Sequence, residues 1–167
     1  ELGQASGDIA RVVSVPFIPP SSLSLSDRQS VLRGLQLIAN TVIQTAELDP
    51  LMQRPTRYYL GTDARRHPFQ NDQVYQSWYD ALISPRVLSR SEMMSIPFGD
   101  AVTYRPGERV RFETDTQTYV VSEPRSLRTL PQDQSGLSWT WQRGVEELDG
   151  TVRGAYRAMS EPVTSAN

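Results

Sequence analysis

Two stretches of this chain read as one β-ribbon written twice. TRYYLGTDARRHPF (Thr56–Phe69) and QTYVVSEPRSLRTL (Gln117–Leu130) each begin on an aromatic strand and pass through a polar turn. Each then returns on a strand carrying arginine, Arg65 and Arg66 in the first and Arg125 and Arg128 in the second. In the first ribbon Gly61-Thr62-Asp63 supplies the turn, because Gly and Asp tolerate the backbone angles of a tight reversal. Pro68 ends the return strand, since it has no N–H to give to a ladder. Glu123-Pro124 turns the second ribbon. A repeated hairpin with no reactive centre points to an assembly or binding part rather than to a catalyst.

The flanking segments set the expected architecture. Asp8–Pro20 is apolar and β-branched, with Val12, Val13, Val15, Phe17 and Ile18, and reads as an extended strand ended by Pro19 and Pro20. It has no close hairpin partner before the serine-rich stretch Ser21–Ser26, so it pairs either with a distant part of its own domain or, as an exchanged arm, with a neighbour. From Asp27 to Glu47, with Ser26 and Gln29 as a capping box, Val31, Leu32, Leu35, Ile38, Ala39, Val42 and Ile43 fall at helical spacing. This predicts an amphipathic helix that ends near Asp49-Pro50. Asn71 or Asp72 can cap a short helix bearing Val74, Tyr75, Trp78 and Tyr79. Val87 and Leu88 predict a short strand, and Ser89–Ser95 a helical turn. Arg105-Pro106-Gly107-Glu108 is a turn, and Val110 and Phe112 alternate with Arg109, Arg111 and Glu113 along a strand. A C-terminal helix is expected over Trp141–Met159, with Val145, Leu148, Val152, Tyr156 and Met159 on one side; Gly144, Gly150 and Gly154 each weaken it by about 1 kcal/mol.

The expected fold class is therefore α+β: small antiparallel β-hairpin units packed with an N-terminal amphipathic helix and a C-terminal helix. The corresponding division is residues 1–25 as an extended arm and linker, 26–55 as helix and connection, 56–130 as the two-copy hairpin module, and 131–167 as the C-terminal helix and tail.

In YYLGTDARRHPFQNDQVYQSWYD (Tyr58–Asp80), SEMMSIPFGDAVTYRPGERVRFETDTQTYVV (Ser91–Val121) and SLRTL (Ser126–Leu130), the order of pieces resembles a hairpin repeat module of secreted and cell-surface proteins of candidate-phyla bacteria. The shared text is an aromatic pair, a Gly/Asp turn, a basic pair, Phe, a short helix ending in Trp-Tyr, a Val-Thr-Tyr-Arg-Pro-Gly turn and a Leu-Arg return. The resemblance spans residues 56–130. It departs from the module's pattern at Ala64, where the turn usually has Gly, and at the basic pair, where Lys is common. It implies an extracellular structural or binding module and carries over no catalytic residue.

The remaining chemistry is sparse. The chain has no cysteine, which excludes disulfides, thiolate catalysis and Cys-ligated zinc. It has no lysine either, so Schiff-base and lysine–phosphate mechanisms are excluded. His67 is the lone imidazole, next to Pro68 in a hairpin return, and is expected to be structural. Glu113 and Asp115 read as a solvated strand face, and Glu146, Glu147 and Asp149 as helix surface charges. The glycines match neither phosphate-loop spacing, and no metal site or cofactor is expected. The net charge of −2 gives no global field for nucleic acid, and no apolar run is long enough for a transmembrane segment. The aromatic set Tyr58, Tyr59, Phe69, Tyr75, Trp78 and Tyr79 is either core or a stacking surface beside Arg65 and Arg66. Trp139 and Trp141 alternate and would share a face of a strand.

Two functional expectations follow. In the first, the chain is a non-enzymatic extracellular or cell-surface structural protein, a self-assembling subunit of a filament or envelope layer, whose subunit contact is Val12, Val13, Val15, Phe17 and Ile18. In the alternative, it is a cell-wall or glycan-binding module using Tyr58, Tyr59, Arg65, Arg66 and Trp78.

Overall fold

The computed structural model describes residues 22–48, 55–79, 83–131 and 144–159. The arm residues Val12, Val13, Val15, Phe17 and Ile18, together with Trp139 and Trp141, lie outside them. Among the described residues the fold is mixed α+β, with one sheet of four strands, one of five, and four helices.

Helix α1 (Leu25–Gly34) starts where the Ser24 hydroxyl accepts the Asp27 N–H. It ends in a paired set of main-chain bonds, Gln36 N–H to the Arg33 carbonyl and Leu37 N–H to the Leu32 carbonyl, with Gln36 in the left-handed region at φ 54°. That pattern is a Schellman stop, with Gln at the position glycine usually takes. The helix expected over Asp27–Glu47 is thus corrected to α1 followed by strand β1 (Thr41–Leu48). The periodicity misled because Val42 and Ile43 are apolar for strand reasons. Ile43 is fully buried and pairs with Tyr58 on one side and Arg86 on the other. β-Branched Thr41, Val42, Ile43 and Thr45 favour that ladder over a helix that Gly34 already weakens. Ser24 with Asp27, rather than Ser26 with Gln29, makes the cap.

Strand β1 lies antiparallel to β2 (Pro55–Leu60), which forms the first ribbon with β3 (Arg66–Pro68). Helix α2 (Asp72–Trp78) follows, capped as expected by Asn71, whose side chain accepts the Val74 N–H at 2.8 Å. Strand β4 (Arg86–Leu88) adds parallel to β1, giving the order β3-β2-β1-β4. Helix α3 (Arg90–Ser95) has a complete capping box between Ser89 and Glu92. Leu32, Leu37, Ile43, Tyr58, Leu60, Leu88, Met93 and Ile96 form the core under this sheet.

The second sheet is β8-β5-β6-β7-β9. Its centre is β5 (Arg109–Phe112), β6 (Thr118–Glu123) and β7 (Ser126–Thr129), joined antiparallel. Val110 and Phe112 face inward as the alternation requires, and Gly107, at φ 97°, makes the turn before β5. The second ribbon, β6–β7, is found where the repeated text placed it, though in a different sheet from the first. The helix expected over Trp141–Met159 is also corrected. Within residues 144–159 the chain forms β8 (Val145–Leu148), a 3-10 helix (Gly150–Ala155) and β9 (Arg157–Ala158). Both strands add parallel to the sheet, β8 beside β5 and β9 beside β7. Pairing with these edges satisfies backbone groups that a glycine-interrupted helix would hold weakly. Glu146 and Glu147 therefore sit on a strand, with Glu147 paired to Arg111 at 3.1 Å.

The two sheets are joined through the connection ahead of β5. Residues 98–102 run beside β3, with Phe98 bridging to Arg66 and Val102 to Phe69. Helix α2 packs the other way, its Val74 entering the second core with Tyr104, Phe112, Val121 and Leu127.

Candidate functional site

Where β2, β3, α2, the 100–103 segment and the β6–β7 turn converge, they surround a cleft of about 560 Å³. Its walls are rings. Tyr59 comes from β2, Phe69 from the residue after β3, and Trp78 and Tyr79 from the end of α2. Phe69 meets Tyr79 edge-on at 6.0 Å, and Tyr75 stacks on Tyr79 at 5.4 Å from beneath. Burial pushes the Tyr79 phenol above its ordinary pKa, with Tyr59 and Tyr75 adding to the effect. Val102, Ala101 and Pro124 complete the apolar lining.

Several polar groups around these rings are engaged inside the protein. The Tyr59 hydroxyl donates to the Asn40 side-chain oxygen at 2.6 Å. The Trp78 indole N–H donates to the Thr103 carbonyl at 2.7 Å. Arg125 donates to the Ala155 carbonyl through Nε at 3.1 Å and pairs with Asp100 through Nη1 at 2.5 Å. Its own N–H is accepted by the Thr103 hydroxyl at 3.2 Å, which fixes the left-handed turn residue (φ 68°) at the cleft mouth.

His67 forms the wall nearest the first ribbon's turn. Its Nδ1 faces the Asp100 carbonyl at 2.7 Å and its Nε2 faces the Asp63 carboxylate at 3.1 Å. Both partners can only accept, so both bonds are complete when both nitrogens carry protons. The ring lies between two glycines. A Cβ on Gly61 would stand 2.7 Å from Nε2, and one on Gly99 would stand 2.6 Å from Nδ1. For Asp63, burial pushes the carboxyl up, but the hydrogen bond and charge of His67 with the Arg65 N–H and guanidinium outweigh it and hold the group below its ordinary value. Among the described residues no cluster of three or more His, Asp or Glu could hold a metal ion.

The five residues expected to form a ligand surface are divided by the fold. Tyr59 and Trp78 line the cleft. Tyr58, the strand neighbour of Tyr59, points to the opposite face and is buried in the first core. Arg66 is buried too, its guanidinium 3.9 Å above the Phe98 ring and 5.3 Å from Tyr58. Both are corrections that follow from the two-residue period of a strand: adjacent residues cannot share a face. Arg65 is spent on the Phe98 carbonyl at 2.8 Å. Asn40, Asp100, Val102, Thr103 and Arg125 were not expected at the site. Their convergence depends on the Phe69–Val102 bridge and on the β6–β7 turn, which are contacts distant in sequence. The available signal was the Gly99-Asp100 pair following the aromatic block.

A second surface lies at the outer side of β4, where Ile38 is 75% exposed and Val87 54%. A shallower groove of about 380 Å³, lined by Leu37, Ile38, Val42 and Ile83, adjoins it. Among the described residues no strand covers β4, and no helix is long and apolar enough to cross a membrane. No protein-family model, curated protein or solved structure matches the chain.

Proposed function

We propose that the chain is a non-enzymatic contact protein of the cell exterior, a self-assembling subunit of a surface filament or envelope layer, and that its aromatic cleft receives a polypeptide segment during assembly. The observation that carries this reading is the cleft lining, in which four ring walls stand beside polar groups of Tyr59, Trp78 and Arg125 that are bonded within the protein. Such a lining gains affinity by removing apolar and π surface from water. It suits a ligand with apolar faces and few hydrogen-bonding needs, because each polar group buried without a partner costs about 1–3 kcal/mol. His67 offers no ring nitrogen to a substrate, since both face acceptors. The β4 edge, which no strand among the described residues covers, adds with Ile38 and Val87 a surface on which a second copy can extend the sheet. The external location rests on the resemblance of residues 56–130 to secreted modules.

Light scattering over a concentration series tests it. The chain is expected to associate, and Tyr59→Ala, which removes one wall, is expected to weaken association at least tenfold, about 1.4 kcal/mol. A chain that stays monomeric throughout the series overturns self-assembly. A cell-wall glycan is the second reading, favoured by the exposed Asp100 carboxylate at 75% side-chain exposure beside the ring faces. Retention on peptidoglycan by a monomeric chain, lost in Tyr59→Ala, would select it.

A further inference from the structure

We propose that in the free chain the aromatic cleft is filled by the chain's own Pro16–Pro20 segment. This rests on reading the cleft as a docking site for polypeptide. Pro16-Phe17-Ile18-Pro19-Pro20 is the one place in the sequence where two prolines stand three apart with a third beside them. Such a spacing favours the polyproline II helix, which repeats every three residues and is ordered before it binds. Aromatic-lined grooves recognise it, because proline rings sit on aromatic faces and little chain entropy is lost on docking. The segment's composition matches this cleft. From Val12 to Ser26 there is no charged residue, and in the cleft Asp100 is neutralised by Arg125 while His67 faces Asp63.

The exit of the segment from the fold selects its own cleft over that of a second copy. Ser22 is the first described residue. The next, Leu23, gives its carbonyl to Arg28 Nη1, and Arg28 Nε donates to the Asp63 carbonyl at 3.0 Å. The Asp63 carboxylate in turn holds His67, which is a wall of the cleft. The segment therefore leaves the fold two side chains away from the site. Pro20 is three residues from Leu23, a reach of about 10 Å when extended. The five residues Pro16–Pro20 then span about 15 Å as polyproline II. A short tether of this kind sets an effective concentration in the millimolar range, above that of any second copy in dilute solution. Assembly then proceeds by exchange: a neighbour's segment replaces the chain's own and makes the same contacts.

A synthetic peptide of residues 12–21 provides the test, titrated calorimetrically into the full chain and into full-length Pro16→Ala/Pro19→Ala/Pro20→Ala, both monomeric by light scattering. The substituted chain, its cleft vacated, is expected to bind the peptide at least tenfold more tightly than the parent. Tyr79→Ala in that background is expected to abolish binding; if it does not fold, Tyr59→Ala serves in its place. Equal binding by parent and substituted chain overturns self-occupation and leaves the cleft as a peptide site. Binding by neither overturns the inference together with the polypeptide reading of the cleft. Competition that appears only as the parent is concentrated places the segment in a second copy and overturns occupation by the chain's own.

Discussion

His67 illustrates how one side chain can hold a wall of the cleft. It occupies a slot open only because residues 61 and 99 lack Cβ atoms, and both of its nitrogens are tied. Gly99→Ala is expected to displace the ring and lower stability by about 1–3 kcal/mol, the usual range for overpacking a filled site; urea unfolding measures it. At Asp63 the sign of the pH dependence follows from its lowered pKa. The contribution is fully present above its ordinary pKa of 3.8 and is lost as pH falls from there toward the folded value. Asp63→Asn should cost about 1 kcal/mol at pH 7, the worth of a hydrogen bond, and should flatten the acid side of the stability profile. A variant whose stability falls between about pH 4 and pH 2 as steeply as the parent's would show that the loss arises elsewhere.

The elements divide according to whether their cause is local. The caps at Asn71 and Ser89, the Pro106-Gly107 turn and both ribbons were legible because each depends on residues a few positions apart. Strands β1, β8 and β9 were not. β8 and β9 are chosen by edges distant in sequence and β1 by its ladders with β2 and β4, and Val42, Ile43, Val145 and Leu148 suit a helix stripe as well as a ladder. The α1 stop is set by local chemistry, a left-handed residue closing two main-chain bonds. Gln36 holds a left-handed angle without being glycine, so Gln36→Gly is expected to stabilise the fold by about 0.5–1 kcal/mol, raising the midpoint of chemical unfolding. Gln36→Val should do the reverse, since a β-branched residue fits that angle poorly.

Across the whole molecule, two cores share one connection. Leu60 and Phe112 are almost fully buried in the first and second cores. Leu60→Ala should cost about 2–5 kcal/mol and Phe112→Ala about 3–5. Because the 98–102 segment and the Trp78–Thr103 bond tie the sheets together, both substitutions should shift one shared unfolding transition. Two separable transitions, each moved by one substitution, would show the halves to be independent. The cleft exists only at this junction. The aromatic block announced rings without saying which faced out, and strand alternation sent Tyr58 and Tyr59 opposite ways.

The parallel addition of β8 and β9 imposes a temporal order on maturation. Strands β5 and β7 are made before the strands that flank them, so a nascent chain presents two raw sheet borders until β8 and β9 emerge. Closure of the five-stranded sheet therefore waits for residues 145–158, and until they dock the three central strands have two unpaired borders.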